Sequence, residues 1–105
     1  MRIAICDDLQ TERQKTIEAL DSVIRNFSVN EFDDGAELIK SHEVLPYDLI
    51  ILDILMPKIS GMDTAAQIRK KDTKTPIVFI STSEEFGVQS YRAVSYTHLT
   101  LPTIL

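Results

Sequence analysis

Three short stretches carry the side chains best suited to chemistry. Asp7 and Asp8 follow a β-branched run, RIAIC (Arg2–Cys6). Asp53 closes DLIILD (Asp48–Asp53). Ser81, with Thr82 beside it, closes PIVFIS (Pro76–Ser81). Carboxylates and a hydroxyl offer hard oxygen donors only. Three acids gathered in one crevice would raise one another's pKa unless a cation neutralised them. Mg2+ is the hard divalent ion that accepts one or two carboxylates and keeps several waters. Such an ion makes an anionic oxygen approachable by a phosphoryl group. Taken singly the signals are ordinary: Asp-Asp after a strand is a common helix-start or turn device, and Asp or Ser can end any strand. Their weight comes from falling together at strand ends.

Whether they meet depends on the elements between them. After RIAIC, Leu9, Arg13, Ile17, Leu20, Val23, Ile24 and Phe27 recur at helical steps, with Thr11 and Gln14 spaced as a capping box. SVNEF (Ser28–Phe32) reads as a strand, Asp33-Asp34-Gly35 as a turn, and Ala36–Glu43 as a short helix closed before Pro46. The middle of DLIILD is apolar throughout, as suits a strand covered on both faces. ILMPKISG (Ile54–Gly61) is a loop broken by Pro57. Ser60 is the candidate N-cap of a helix through Met62, Ala65, Ala66, Ile68 and Arg69. PIVFIS is a fourth strand, and Thr82–Ala93 reads as a loop and a weaker helix interrupted by Gly87. The alternation βαβαβαβα predicts an α/β fold: a doubly wound parallel sheet with right-handed crossovers. In the order 2-1-3-4, the first and third strands are neighbours, and ligands bind at the carboxyl ends where the chain order reverses. That crevice would collect Asp7, Asp8 and Asp53.

Composition narrows the classes. A chain of 105 residues, 44% apolar and 26% charged, is one globular domain's worth. Its single cysteine excludes a disulfide framework and a cysteine-based zinc site. Even the longest apolar runs, four residues as in Leu49–Leu52, cannot span a bilayer, so no membrane association is expected and the cytoplasm is the default. A net charge of −5 disfavours direct nucleic-acid binding by this segment. Cys6 reads as a small buried apolar residue, His42 as a solvated surface side chain, and Met56 and Met62 as packing. Arg69, Lys70, Lys71 and Lys74 read as a solvated helix end.

Read together, IAICDD (Ile3–Asp8), DLIILDILMPKISGMD (Asp48–Asp63) and PIVFIS resemble the receiver domain of two-component response regulators. The most specific part is an Asp at a strand end, Met-Pro three residues on, and Gly61 eight residues on. The resemblance covers residues 1 to about 92 and implies the flavodoxin-like receiver fold. It implies that Asp53 is the phosphoacceptor and that Asp7, Asp8, Asp53 and the Leu55 carbonyl hold Mg2+. Ser81 matches the switch hydroxyl, with Thr82 next to it, and Met56, Pro57 and Gly61 shape the loop after the acceptor. The implied partner is a sensor histidine kinase. The expected role is a phosphoacceptor rather than a turnover enzyme, with a homodimer of the full-length protein on activation. FDDGAELI (Phe32–Ile39) and PIVFISTSEEFGVQSY (Pro76–Tyr91) look most like receivers joined to LytTR-type DNA-binding domains, which implies transcription regulation.

Two competing functions fit the same fold. A phosphohydrolase of the haloacid-dehalogenase type carries an acid two residues after its Asp nucleophile, where this chain has Leu55. A phosphorylation-independent interaction module would not need the full acidic set.

The carboxyl terminus departs from the pattern. The family has a fifth strand ending in Lys-Pro, and no Lys follows Lys74 here. VSYTHLTLPT (Val94–Thr103) is what GTC TCT TAT ACA CAT CTG ACG CTG CCG ACG encodes, the read-through of a common transposase-type sequencing adapter. Residues 1–92 are therefore expected to be an incomplete receiver and 93–105 a non-native tail. The native fifth strand and helix would be missing and the fourth strand left as an open edge. THLTL (Thr97–Leu101) is the segment expected to compete for that edge.

Overall fold

The computed structural model describes the backbone of residues 1–83 and 90–96 and the side chains of residues 1–80. In chain order the elements are β1 (Arg2–Cys6), α1 (Gln10–Asp21), β2 (Ser28–Phe32), α2 (Gly35–Val44), β3 (Leu49–Asp53), α3 (Gly61–Arg69), β4 (Ile77–Ser83) and β5 (Ser90–Tyr96). The sheet order is β2-β1-β3-β4-β5. The first four strands are parallel, in the order expected for a doubly wound fold.

The two central strands explain the near-continuous apolar runs. In β1, Ile3 and Ile5 face one side while Ala4 and Cys6 face the other, and all four are buried. In β3, Ile50 and Leu52 join Ala4, Cys6, Leu38, Ala65, Ile68, Ile77 and Phe79 in the main core, beneath α2 and α3. Ile51 joins Ile3 and Ile5 on the opposite face, covered by Ile17 and Leu20 of α1 and by Ile24 and Phe27 beyond it. No described helix is long and apolar enough to cross a membrane.

Helix boundaries follow local polar chemistry. Ser60 caps α3 as expected, its Oγ accepting the Asp63 amide at 3.1 Å. Asp34 does the same for α2, accepting from the Ala36 amide at 3.0 Å. The Thr11–Gln14 capping box does not form. The N-cap of α1 is Leu9, without a side-chain cap, because Asp7 Oδ1 accepts the Leu9 amide and starts the helix earlier. That helix also stops at Asp21, short of the periodic pattern. Asn26 at φ 59° turns the chain toward β2, in a conformation asparagine tolerates well.

Two side chains expected in solvent lie inside. His42 is 6% exposed. Its Nδ1 accepts the Tyr47 amide at 3.0 Å and its Nε2 donates to Asp72 Oδ2 at 2.7 Å, which makes it the Nε2–H tautomer. Arg69 is 1% exposed and donates to the Asp72 and Thr75 carbonyls at 3.0 and 2.6 Å. Together they tie the carboxyl ends of α2 and α3 to the segment entering β4.

The largest departure is at the sheet edge. Residues 90–96 form β5, antiparallel to β4 from Ser83↔Ser90 to Ile77↔Tyr96. Residues 90–93, expected to close a helix, are strand instead, while residues 84–89 of that expected segment and THLTL lie outside the described residues; the edge of β4 is paired rather than open. The reason is geometric. Unpaired backbone groups beside the buried Ile77 and Phe79 are costly. A parallel partner needs a crossover of roughly a dozen residues, whereas residues 84–89 alone separate the two strands, enough for an antiparallel return.

Candidate functional site

Strand register brings the acids together. β1 pairs with β3 through Cys6↔Leu52, so one residue further on Asp7 lies beside Asp53. The Asp7 amide still donates to the Phe32 carbonyl at 3.0 Å, which continues the β1–β2 ladder past the strand end. One carboxylate oxygen from each of Asp7, Asp8 and Asp53 lies within 4.8 Å of the others. Asp7 and Asp53 are half-buried and Asp8 is exposed, so the cluster opens to solvent on one side. It is the one metal-ligand cluster among the described residues.

Crowding shows in the electrostatics. Burial, then the charges of Asp7 and Asp8, push Asp53 up to about 7, against partial relief from the Leu55 and Ile54 amides. Burial and the neighbouring Asp8 also raise Asp7 above the usual carboxylate range. Asp7 and Asp53 thus resist ionising in this crevice, and the donors are hard oxygens. A small divalent cation supplies the missing positive charge and suits that donor set, so the residues present fit Mg2+.

The loop after β3 is held close beneath Asp53. The Leu55 amide points at Asp53 Oδ1 at 3.4 Å, while the Leu55 side chain is 75% exposed. Gly61 donates to the Ile54 carbonyl at 2.9 Å. A Cβ on Gly61 would lie 2.0 Å from the Asp53 carbonyl oxygen, so only glycine lets α3 begin against the end of β3. Met56 packs on the main core, with its sulfur 3.6 Å from Cys6 Sγ. Cys6 itself is a buried thiol pushed up to about 12, by burial first and then by Asp34 and Asp7, as suits a packing residue.

Ser81 and Thr82 lie within β4, opposite Arg92 and Tyr91 of β5 rather than at the strand end. Ser81 follows Ile80, the partner of Asp53 across β3–β4. The side chains of both fall outside the described residues.

Several site residues were not apparent from the chain alone. Asp33, Asp34 and Lys58 line a cavity of about 310 Å3 with Asp8, Met56 and Pro57. The first two read only as a turn, although acids ending the strand next to β1 must approach Asp8. Arg13 read only as a helical position, yet its Nη1 donates to the Asp7 carbonyl at 2.6 Å. A larger groove of about 660 Å3 lies between His42, Lys71 and Asp72. It sits at the amino-terminal end of the strands, away from the acids, and holds no such ligand cluster.

Residues 3–100 match the family described as the response regulator receiver domain. The cell cycle transcriptional regulator CtrA of Caulobacter vibrioides is 31% identical over 104 residues, covering 97% of this chain and 44% of that protein. The transcriptional regulatory protein ResD of Bacillus subtilis is 33% identical over 79 residues, covering 73% and 32%. This chain therefore spans less than half the length of these relatives. Among solved structures, the response regulator TrrA of Thermotoga maritima, in complex with Mg2+ and BeF, superposes with a TM-score of 0.70. It is 33% identical, with 81% of this chain and 72% of that one covered.

Proposed function

The chain belongs to the response regulator receiver family, and from that premise we propose that it accepts a phosphoryl group from a sensor histidine kinase onto Asp53, with Mg2+. The observation that carries this reading is the convergence of Asp7, Asp8 and Asp53 within 4.8 Å at the carboxyl ends of β1 and β3. Asp7, Asp8, Asp53 and the Leu55 carbonyl are the residues that would hold the ion. Bound there, Mg2+ neutralises charge on the acids and on the incoming phosphoryl oxygens.

The chain's own residues position and supply the nucleophile. An Asp53 carboxylate oxygen forms the new bond to phosphorus, and the phosphohistidine P–N bond breaks with its electron pair leaving on the imidazole. The Leu55 amide orients Asp53. The Ser81 hydroxyl is assigned to the transferred phosphoryl oxygens. The added charge, about −1.5 to −2, is the signal passed to an output domain. This is a phosphoacceptor role rather than that of a turnover enzyme.

Incubation of the full chain with acetyl phosphate and Mg2+ tests the proposal. The expected product is a hydroxylamine-labile phosphoryl protein, lost in Asp53→Asn. Rapid turnover of small phosphate esters would instead mark a hydrolase, and neither product would mark a phosphorylation-independent module.

Finer readings rest on sequence. FDDGAELI and the stretch from Pro76 to Tyr91 support a parent protein with a LytTR-type DNA-binding output. The cytoplasmic reading rests on the short apolar runs and the strand-like start of the chain, and a homodimer of the full-length protein on activation is carried over from the family resemblance. Residues 93–105 are read as adapter-derived. Re-sequencing the locus with a different library chemistry decides that point, and recovery of the same tail overturns it.

A further inference from the structure

Arg13 joins three elements at one carbonyl. It lies in the first turns of α1, its side chain is 14% exposed, and its own amide donates to the Leu9 carbonyl at 3.1 Å. Its Nη1 donates to the Asp7 carbonyl at 2.6 Å, while its Nε donates to Glu31 Oε1 at 3.0 Å. Glu31 belongs to β2 and pairs in register with Ile5, two residues before Asp7. Asp7 is thereby held at every polar group. Its amide is bound to Phe32, its carbonyl to Arg13, and its carboxylate to the Leu9 amide.

We propose that Arg13 is a positioning residue, anchored by Glu31, that fixes the Asp7–Asp8 turn and so sets the affinity of the acid cluster for a divalent cation. The inference rests on the reading of that cluster as a Mg2+ site. A guanidinium suits this role because its planar fork reaches a carbonyl and a carboxylate at once, which an ammonium does not do with fixed geometry. Glu31 balances its charge, so the pair adds direction to the turn without adding net charge to the crevice. Groups that orient metal ligands from behind commonly change metal affinity by about 10–100-fold when removed.

Charge and position predict opposite signs. Removing a cation near three carboxylates would, by Coulomb attraction alone, tighten Mg2+ binding. Releasing the turn weakens it. Calorimetric Mg2+ titration of the full chain separates the two, using wild type, Arg13→Lys, Arg13→Gln, Glu31→Gln and the exposed α1 control Glu18→Gln. Both Arg13 variants are expected to raise the Mg2+ dissociation constant about 10-fold, Glu31→Gln to raise it less, and Glu18→Gln to match wild type. At saturating Mg2+, Arg13→Gln should recover the wild-type rate of labelling by acetyl phosphate. Melting in EDTA checks that each variant is folded, and if Arg13→Gln is not, Arg13→Lys, which keeps the charge and loses the planar fork, carries the test. Mg2+ binding by Arg13→Gln as tight as wild type or tighter, or wild-type affinity in Arg13→Lys, overturns the inference alone. Failure of the wild type to bind Mg2+ overturns both it and the functional reading beneath it.

Discussion

Asp53, pushed up to about 7 by burial and by the charges of Asp7 and Asp8, has a measurable consequence for folding. The unfolded value is near 3.8, so the folded state holds the proton more tightly. The stability that this proton confers is fully present below the unfolded value and is lost as pH rises through about 7. In EDTA, Asp53→Asn should therefore be more stable than wild type at pH 8 by roughly 2 kcal/mol, a figure reduced for solvent screening. The advantage should shrink toward pH 5. Urea denaturation at the two values checks this, and an unchanged difference would show that burial and the charges of Asp7 and Asp8 do not raise Asp53. A second outcome follows from the same crowding. Mg2+ binding near pH 7 should release protons, seen as a dependence of the binding enthalpy on the buffer's ionisation enthalpy. The acids themselves were legible, because each closes a strand-like run. Arg13 was not, because its role depends on a carbonyl, and backbone atoms leave no trace in residue type.

Among the elements, the strands were the most legible. Central strands buried on both faces must be apolar at every position, and Ile3–Cys6 and Leu49–Leu52 show it. The Ser60 cap was equally plain. His42 and Arg69 were misplaced because polarity was weighed above spacing. His42 follows Leu38 by four residues and Arg69 follows Ala65 by four, so each shares a face with a fully buried side chain. His42→Ala should cost about 2–3 kcal/mol, since it leaves the buried Tyr47 amide without its acceptor and removes the His42 hydrogen bond to Asp72. His42→Asn, whose amide oxygen can replace Nδ1, should recover part of that in urea denaturation. The start of α3 is set by close approach rather than polarity. Gly61→Ala places a methyl group on the Asp53 carbonyl and should cost about 2–3 kcal/mol. It should also move the Asp53 signals in NMR spectra, because the β3–α3 turn is what must give way.

At the scale of the whole molecule, the doubly wound sheet was readable from alternation alone, while its edge was not. Nothing local in residues 90–96 announces a strand. The pairing follows from the unsatisfied edge of β4 and the short chain available to cover it. The acid cluster also bears on the whole fold, since it gathers like charges at the ends of β1 and β3. A cation that binds only the folded chain stabilises it by mass action. Thermal unfolding should accordingly shift upward with Mg2+, by several degrees at concentrations well above the dissociation constant. The shift should be largely lost in Asp8→Asn, and an equal response in that variant would place the ion elsewhere. The most direct test of the account is to find the phosphoryl group. Acetyl phosphate with Mg2+, followed by borohydride reduction and peptide mass spectrometry, should convert residue 53 to homoserine, and EDTA should abolish the conversion. Reduction at a different aspartate, or conversion at residue 53 that persists in EDTA, would contradict it.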